Sequence, residues 1–217
     1  MTTLSPRLLR AGIVSLDPST LAVKGIISMQ YNPDVLTRTL AVRGTSPEGG
    51  DRTEALRLTG PPVETLKLEA EIDATDQLEF PDQNGATVEF GIQPQLAALE
   101  ILVYPTSAQI QDENRMAMAG TLEIVSAESP LTLFIMSKSR ILPVRLTEFG
   151  ITEEAFDRQL NPIRAKVSLG MRVLSVNDLK FDHKGNSLFM AYHQQKERLA
   201  TMAARAGLGT LGVSRIQ

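Results

Sequence analysis

The sequence predicts a mainly β protein: an antiparallel barrel or sandwich with one packed helix and a C-terminal amphipathic helix. Two observations carry this. Long segments alternate apolar and polar residues with period two, and turn-forming pairs separate them. The clearest segment is Ile163 to Leu174, where Ile163, Ala165, Val167, Leu169, Met171 and Val173 alternate with Arg164, Lys166, Ser168, Gly170 and Arg172. Thr65 to Asp73 repeats the pattern, with Leu66, Leu68, Ala70 and Ile72 set against Lys67, Glu69, Glu71 and Asp73. A strand of this kind buries one face and leaves the other polar.

In chain order, weaker alternation marks strands at Leu8 to Leu16, Ile26 to Tyr31, Val35 to Arg43, Thr121 to Ser126, Leu131 to Met136 and Leu142 to Thr147. Asp17-Pro18, Asn32-Pro33, Ser46 to Gly50, Gly60-Pro61-Pro62, Ser129-Pro130 and Asn161-Pro162 supply the turns between them. Arg43 to Thr53, rich in glycine, serine, proline and charge, reads as an exposed loop. A helix opens at Pro94, whose missing N–H has no partner in a first turn, and runs through Leu96, Leu99 and Val103 to Tyr104-Pro105. Glu153 and Glu154, following Thr152, fit the first turn of a helix, where carboxylates meet the positive end of the dipole. The last helix begins after Gly185-Asn186, capped by Asn186 or Ser187, with Leu188, Tyr192, Leu199, Met202 and Ala206 as its apolar stripe. Gly207, Gly209 and Gly212 end it. The chain thus divides into a β domain over 1–180 and a C-terminal helix and tail over 181–217.

Composition excludes several chemistries. Among 217 residues there is no cysteine and no tryptophan, and His183 and His193 are the only imidazoles. Disulfides, thiolate metal sites and a cysteine nucleophile are therefore impossible. The formal charge of -3, from 22 Lys+Arg against 25 Asp+Glu, gives no broad attraction to nucleic acid. No run approaches the roughly 18 to 20 apolar residues of a membrane span, and Met1 to Arg10 lacks the pattern of a secretion signal. A cytoplasmic protein with no nucleic-acid partner and no direct membrane insertion is expected.

The remaining motifs are weak. Gly207-Leu208-Gly209-Thr210-Leu211-Gly212 matches G-x-G-x-x-G, yet it follows a helix, where a dinucleotide fingerprint follows a strand and opens a helix. Asn177, Asp178, Asp182 and His183 cluster without the spacing of a known metal loop, and read as the turn into the last helix. His193 reads as a surface or interface histidine. No serine sits in a Gly-x-Ser-x-Gly elbow. No catalytic residue, cofactor site or metal site is expected. The charged faces of the two best strands, Lys67, Glu69 and Glu71 on one and Arg164, Lys166 and Arg172 on the other, are either solvated or turned to a partner or channel. Gln30-Tyr31-Asn32-Pro33 and Gln159-Leu160-Asn161-Pro162 echo each other, an echo that the commonness of Asn-Pro turns explains better than a repeat.

Two blocks carry a family resemblance. Lys24 to Leu40 contains Met29-Gln30-Tyr31-Asn32-Pro33, then Leu36, Arg38 and Leu40. Leu142-Pro143-Val144-Arg145-Leu146-Thr147 is followed by Ile151 to Asp157, with Phe156, and by Leu160-Asn161-Pro162-Ile163. Together they resemble the tube-type proteins of contractile injection systems, over about Arg7 to Asp178. The resemblance implies a tube-type β domain and a place in the baseplate as a tube initiator or adaptor. It implies a hexameric ring of this chain between the spike or hub protein and the inner tube protein, in contact with other baseplate or sheath proteins. Gln30, Tyr31, Asn32, Pro33, Leu36, Arg38, Pro143, Phe156, Asn161 and Pro162 are its motif residues. Lys67, Glu69, Glu71, Arg164, Lys166 and Arg172 become candidates for the lumen or a subunit interface. Many relatives carry a LysM-like module after this domain; here one amphipathic helix stands in that place, with an expected docking role. The particle would assemble in the cytoplasm. The rival readings are a polymerising inner tube protein and, from another class, a small-ligand-binding β-barrel.

Overall fold

The computed structural model describes residues 9–17, 20–44, 57–120, 129–203 and 210. The expected strand Thr121 to Ser126, the tip of the loop after Arg43 and the terminal glycines lie outside them. Strands β1 (Gly12–Leu16), β2 (Val23–Ser28), β3 (Leu36–Ala41), β4 (Val63–Asp73), β5 (Leu131–Ser137), β6 (Arg140–Phe156) and β7 (Pro162–Val173) form one antiparallel sheet, in the order β2-β1-β5-β6-β7-β4-β3. The ladder is open, with β2 and β3 as its edges. The described residues of the single chain form neither a closed barrel nor a two-sheet sandwich.

The alternation of β4 and β7 becomes burial. Leu66 and Leu68, with Ala165, Val167, Leu169, Met171 and Val173, enter a core shared with Ile13, Phe134, Leu142 and Val144. β5 is buried on both faces: Phe134 joins that core, while Leu131 and Leu133 pack with Leu16 in a second cluster on the other side. Two-sided burial is why Leu131-Thr132-Leu133-Phe134 alternates so weakly.

Three expectations are corrected. Glu153 and Glu154 start no helix. They lie in β6, which runs far past Thr147 and pairs with β7 as far as Phe156 opposite Pro162. The ladder with β7 overrides the local helical signal. Helices are also more numerous than two. Between β4 and β5 lie α1 (Thr75–Leu78), a 3-10 turn (Pro81–Gln83), α2 (Gly85–Phe90), α3 (Gln93–Glu100) and α4 (Ser107–Met118). The Pro94 helix is α3, with Leu96 and Leu99 in the core. Finally, α5 (Lys184–Met202) is capped by neither Asn186 nor Ser187: the Nδ1 of His183 accepts the Gly185 N–H at 3.0 Å. Its stripe is half used. Leu188 and Tyr192 pack inward, together with Phe189, whereas Leu199 and Met202 are exposed.

Besides Leu96 and Leu99 in the core, a close backbone contact seats the helical layer. Gly91 has φ +59°, and a Cβ there would lie 2.2 Å from the Pro162 carbonyl oxygen, the same oxygen that accepts the Ile92 N–H at 2.9 Å. Only glycine allows that approach. Asn161 braces the site by donating from Nδ2 to the Glu89 carbonyl at 3.1 Å and to the Asp157 carboxylate at 2.9 Å. Replacing Asn161 by Ala is expected to lower the thermal midpoint by about 3–6 °C, measured by calorimetry. No change would leave the brace without a stabilising role.

Candidate functional site

β2 and β3 are neighbours in sequence and lie at opposite edges of the sheet. Six flat inter-strand gaps would span about 29 Å, the most that a fully stretched chain from Ser28 to Leu36 could reach. That chain is not stretched, so the sheet has to curl. The residues doing the joining are the first motif block. Gln30 donates from Nε2 to the Asp73 carbonyl at 2.7 Å and accepts the Asp73 N–H on Oε1 at 2.9 Å, as an added strand would. Asn32 accepts the Ala11 N–H at 2.8 Å and donates to the Leu9 carbonyl at 2.9 Å. Neighbouring Met29 is buried and its N–H meets the Ala11 carbonyl at 2.9 Å. Gln30 and Asn32 thus clasp the end of β4 to the lead of β1, two strands that the sheet order separates by three others.

The same loop overhangs the polar face of the sheet. Tyr31, Asn32, Pro33 and Val35 border a groove of about 910 Å3 whose floor includes Lys67, Glu69, Glu71, Lys166 and Ser168. The register sets its charges. Gly170 lies between Lys67 on β4 and Glu148 on β6, and a Cβ there would come within 2.8 Å of the Glu148 Cβ. With no side chain between them, Lys67 and Glu148 meet over the glycine at 2.8 Å. Lys166 pairs with Glu154 at 3.1 Å. Arg164 lies 2.8 Å from Asp73 and 3.8 Å from Glu71. The hydroxyl of Thr75, with the Thr75 N–H and Arg164, holds the Asp73 carboxyl below the usual range. Asp73 and Arg164 reinforce each other, because the Arg164 guanidinium is held above its ordinary pKa, first by its bond to Asp73.

Five of the six charged candidates therefore share one exposed face: Lys67, Glu69, Glu71, Arg164 and Lys166. Arg172 is turned away to the carboxylate of Asp178, which also accepts the Ser175 N–H and hydroxyl. That occupies the Asp178 of the Asn177–His183 segment as a turn anchor. His193 is half-exposed on α5, stacked on Phe189 and 3.4 Å from Glu197.

The second motif block has a different task from the first. Pro143 is fully buried in β6 opposite Leu133, while Phe156, Asn161 and Pro162 form the turn between β6 and β7 that seats the helical layer. Asp157 accepts the side-chain N–H of Asn161 and the backbone N–H groups of Asn161 and Gln159, which hold its carboxyl below the usual range. The two Asn-Pro echoes are thus a clasp across the curl in one case and a hairpin in the other. Leu36 packs against the core, and Arg38 reaches the buried Glu64.

Glu64 is a site residue that the sequence reading missed. The signal was its phase, since Glu64, Leu66, Leu68 and Ala70 share one face of β4. A second missed feature is α4, which starts with a capping box in which Thr106 and Gln109 bond each other reciprocally. No described residue of α4 is buried, and Ile110, Met116 and Met118 face solvent.

Both sheet edges carry exposed apolar side chains: Val23 and Ile26 on β2, and Leu40 on β3 with Val35 and Val42 beside it. Among the described residues, no helix is long and apolar enough to cross a membrane, and no group of three or more metal-ligating side chains occurs. No protein-family model matches the chain, and no curated protein matches it.

Proposed function

We propose that this chain is a non-enzymatic structural ring of a contractile, phage-tail-like injection particle: a hexameric tube initiator or baseplate adaptor joining the spike or hub protein to the inner tube. The observation that carries this reading is the open sheet, curled by its own motif loop and left with two apolar edges. An unpaired edge presents a row of backbone donors and acceptors, and native proteins cover it, charge it or use it for a partner. Pairing β3 of one copy with β2 of the next repeats a head-to-tail contact, and a curled sheet turns that repeat into a ring. Each chain then supplies one arc of a barrel closed between copies. The paired charges over Lys67, Glu69, Glu71, Arg164 and Lys166 suit a wetted face toward the lumen or a neighbouring layer.

Electron microscopy of the purified protein, alone and with an inner tube protein, tests the reading. Rings that cap tube ends are the expected result. Long stacks of this chain alone would favour the polymerising tube protein, and a monomer that ignores the tube protein at every concentration would sink both. The groove of about 910 Å3 favours a ligand-binding protein. A carrier barrel holds its ligand in an apolar interior, however, and the apolar face of this sheet is filled by Phe134, Leu142, Met171 and Leu66.

A further inference from the structure

Glu64 stands on the apolar face of β4 and is only 3% exposed. A buried carboxylate persists only where partners replace its water. Here every oxygen is engaged. Oε1 accepts Arg38 Nε at 2.9 Å, Arg38 Nη2 at 2.7 Å and the Tyr192 hydroxyl at 3.3 Å, while Oε2 accepts Lys196 Nζ at 2.9 Å. Arg38 Nη2 also donates to the Tyr192 oxygen at 3.1 Å, and the Lys196 ammonium lies 4.1 Å from the centre of the Tyr192 ring. The charged and titratable groups facing Glu64 are thus Arg38 from β3 and Tyr192 and Lys196 from α5.

The rest of α5 is held unevenly. Leu188, Phe189 and Tyr192 anchor its first half in the two apolar clusters, and beyond Lys196 the apolar Leu199 and Met202 face solvent. Among the described residues of α5, the Glu64 network is thus the last hydrogen-bonded or ionic tie to the sheet. The segment before α5 is tied separately, through Asp178 to Ser175 and Arg172.

We propose that the second half of α5 is a releasable latch, clamped to the sheet by the carboxylate of Glu64, so that neutralising this one group frees the helix beyond Tyr192 while its first half and the sheet stay folded. Without the anion, Arg38 and Lys196 are two cations converging on one part-buried point, and one must leave. Arg38 belongs to a strand laddered to β4 from Leu36 opposite Leu68 to Ala41 opposite Val63. Lys196 belongs to a helix with no ladder, so the helix yields. Burial opposes ionisation of Glu64, but the bonds and charges of Lys196 and Arg38 outweigh it and set its pKa below the ordinary glutamate value. The clamp is accordingly complete at neutral pH, and is lost as acid protonates the carboxylate through that lowered value. The latch does not depend on ring formation and stands or falls separately from it.

Hydrogen exchange of the full chain, read by mass spectrometry at pH 7, tests it with Glu64→Gln and Lys196→Met. In Glu64→Gln, amides over 193–202 are expected to exchange at least about tenfold faster, while those of β5 and β7 keep wild-type protection. Lys196→Met alters a side chain at the helix surface and should give the same local pattern with a smaller change. Unchanged protection of α5 in both variants would overturn the latch. So would parallel loss in helix and sheet, because the cluster would then be one more part of a cooperative core. If Glu64→Gln does not fold, Lys196→Met decides between these outcomes.

Discussion

The double variant Gln30→Ala with Asn32→Ala is expected to lose about 2–6 kcal/mol of stability, read from the denaturant midpoint with the slope unchanged. Four hydrogen bonds go with those two side chains: two to the backbone of Asp73 and two to the backbone of Ala11 and Leu9. Each is worth about 0.5–1.5 kcal/mol net, which sets the range. The single variants should not add. Once Gln30 releases β4, Asn32 has less to hold against, so each single change should cost more than half of the double. Gln30→Glu separates a clasp from mere packing. It keeps the shape and the acceptor for the Asp73 N–H, loses the donor to the Asp73 carbonyl and sets a charge against that oxygen. It should therefore cost at least as much as Ala. A loss below about 0.5 kcal/mol in all four variants would mean that the loop is a passive connection.

How far this fold could be read from sequence depended on whether a strand has two different faces. β4 and β7 do, and their alternation gave boundaries within two residues of those observed. β2 has no such contrast, since most of its residues are exposed, and its expected position was displaced toward the motif. The far half of β6 contains Gly150, Thr152-Glu153-Glu154 and Ala155 at φ +52°, a local sequence that favours a turn or helix. Its strand conformation comes from pairing with β7, a contact that no local pattern contains. α1 and α2, four and six residues long, are too short for an apolar stripe to repeat.

The site was legible in part. Strand period alone put Lys67, Glu69 and Glu71 on one face of their strand, and Arg164 and Lys166 on one face of theirs, because residues two apart share a face; that the two faces coincide comes from the pairing of β4 with β7. That Lys67 and Glu148 meet across Gly170 was not legible, since it depends on register between three strands. Gln30 and Asn32 stood out as a motif with no visible task. Their task appears only when β1 and β4, far apart in chain and in sheet order, are brought to the same loop.

Ile26→Lys on β2 and Thr39→Lys on β3 should each abolish rings while leaving the fold intact. Ile26 is 70% exposed and Thr39 lies on an exposed edge, so either change should alter stability by no more than about 0.5 kcal/mol. A lysine on an edge strand blocks strand addition, because pairing would bring the charge against a neighbouring backbone. The mixture of the two variants is the more informative experiment. In a head-to-tail ring, each subunit offers β3 to the β2 of the next. The Ile26→Lys chain keeps a good β3, and the Thr39→Lys chain keeps a good β2. Mixed, they should form one intact contact and stop there, so light scattering should find heterodimers and nothing larger. An interface built from like edges would behave in the opposite way. Each variant alone would then dimerise through its unaltered edge, and mixing would add nothing. Rings that survive in both single variants would exclude the edges as the assembly surface.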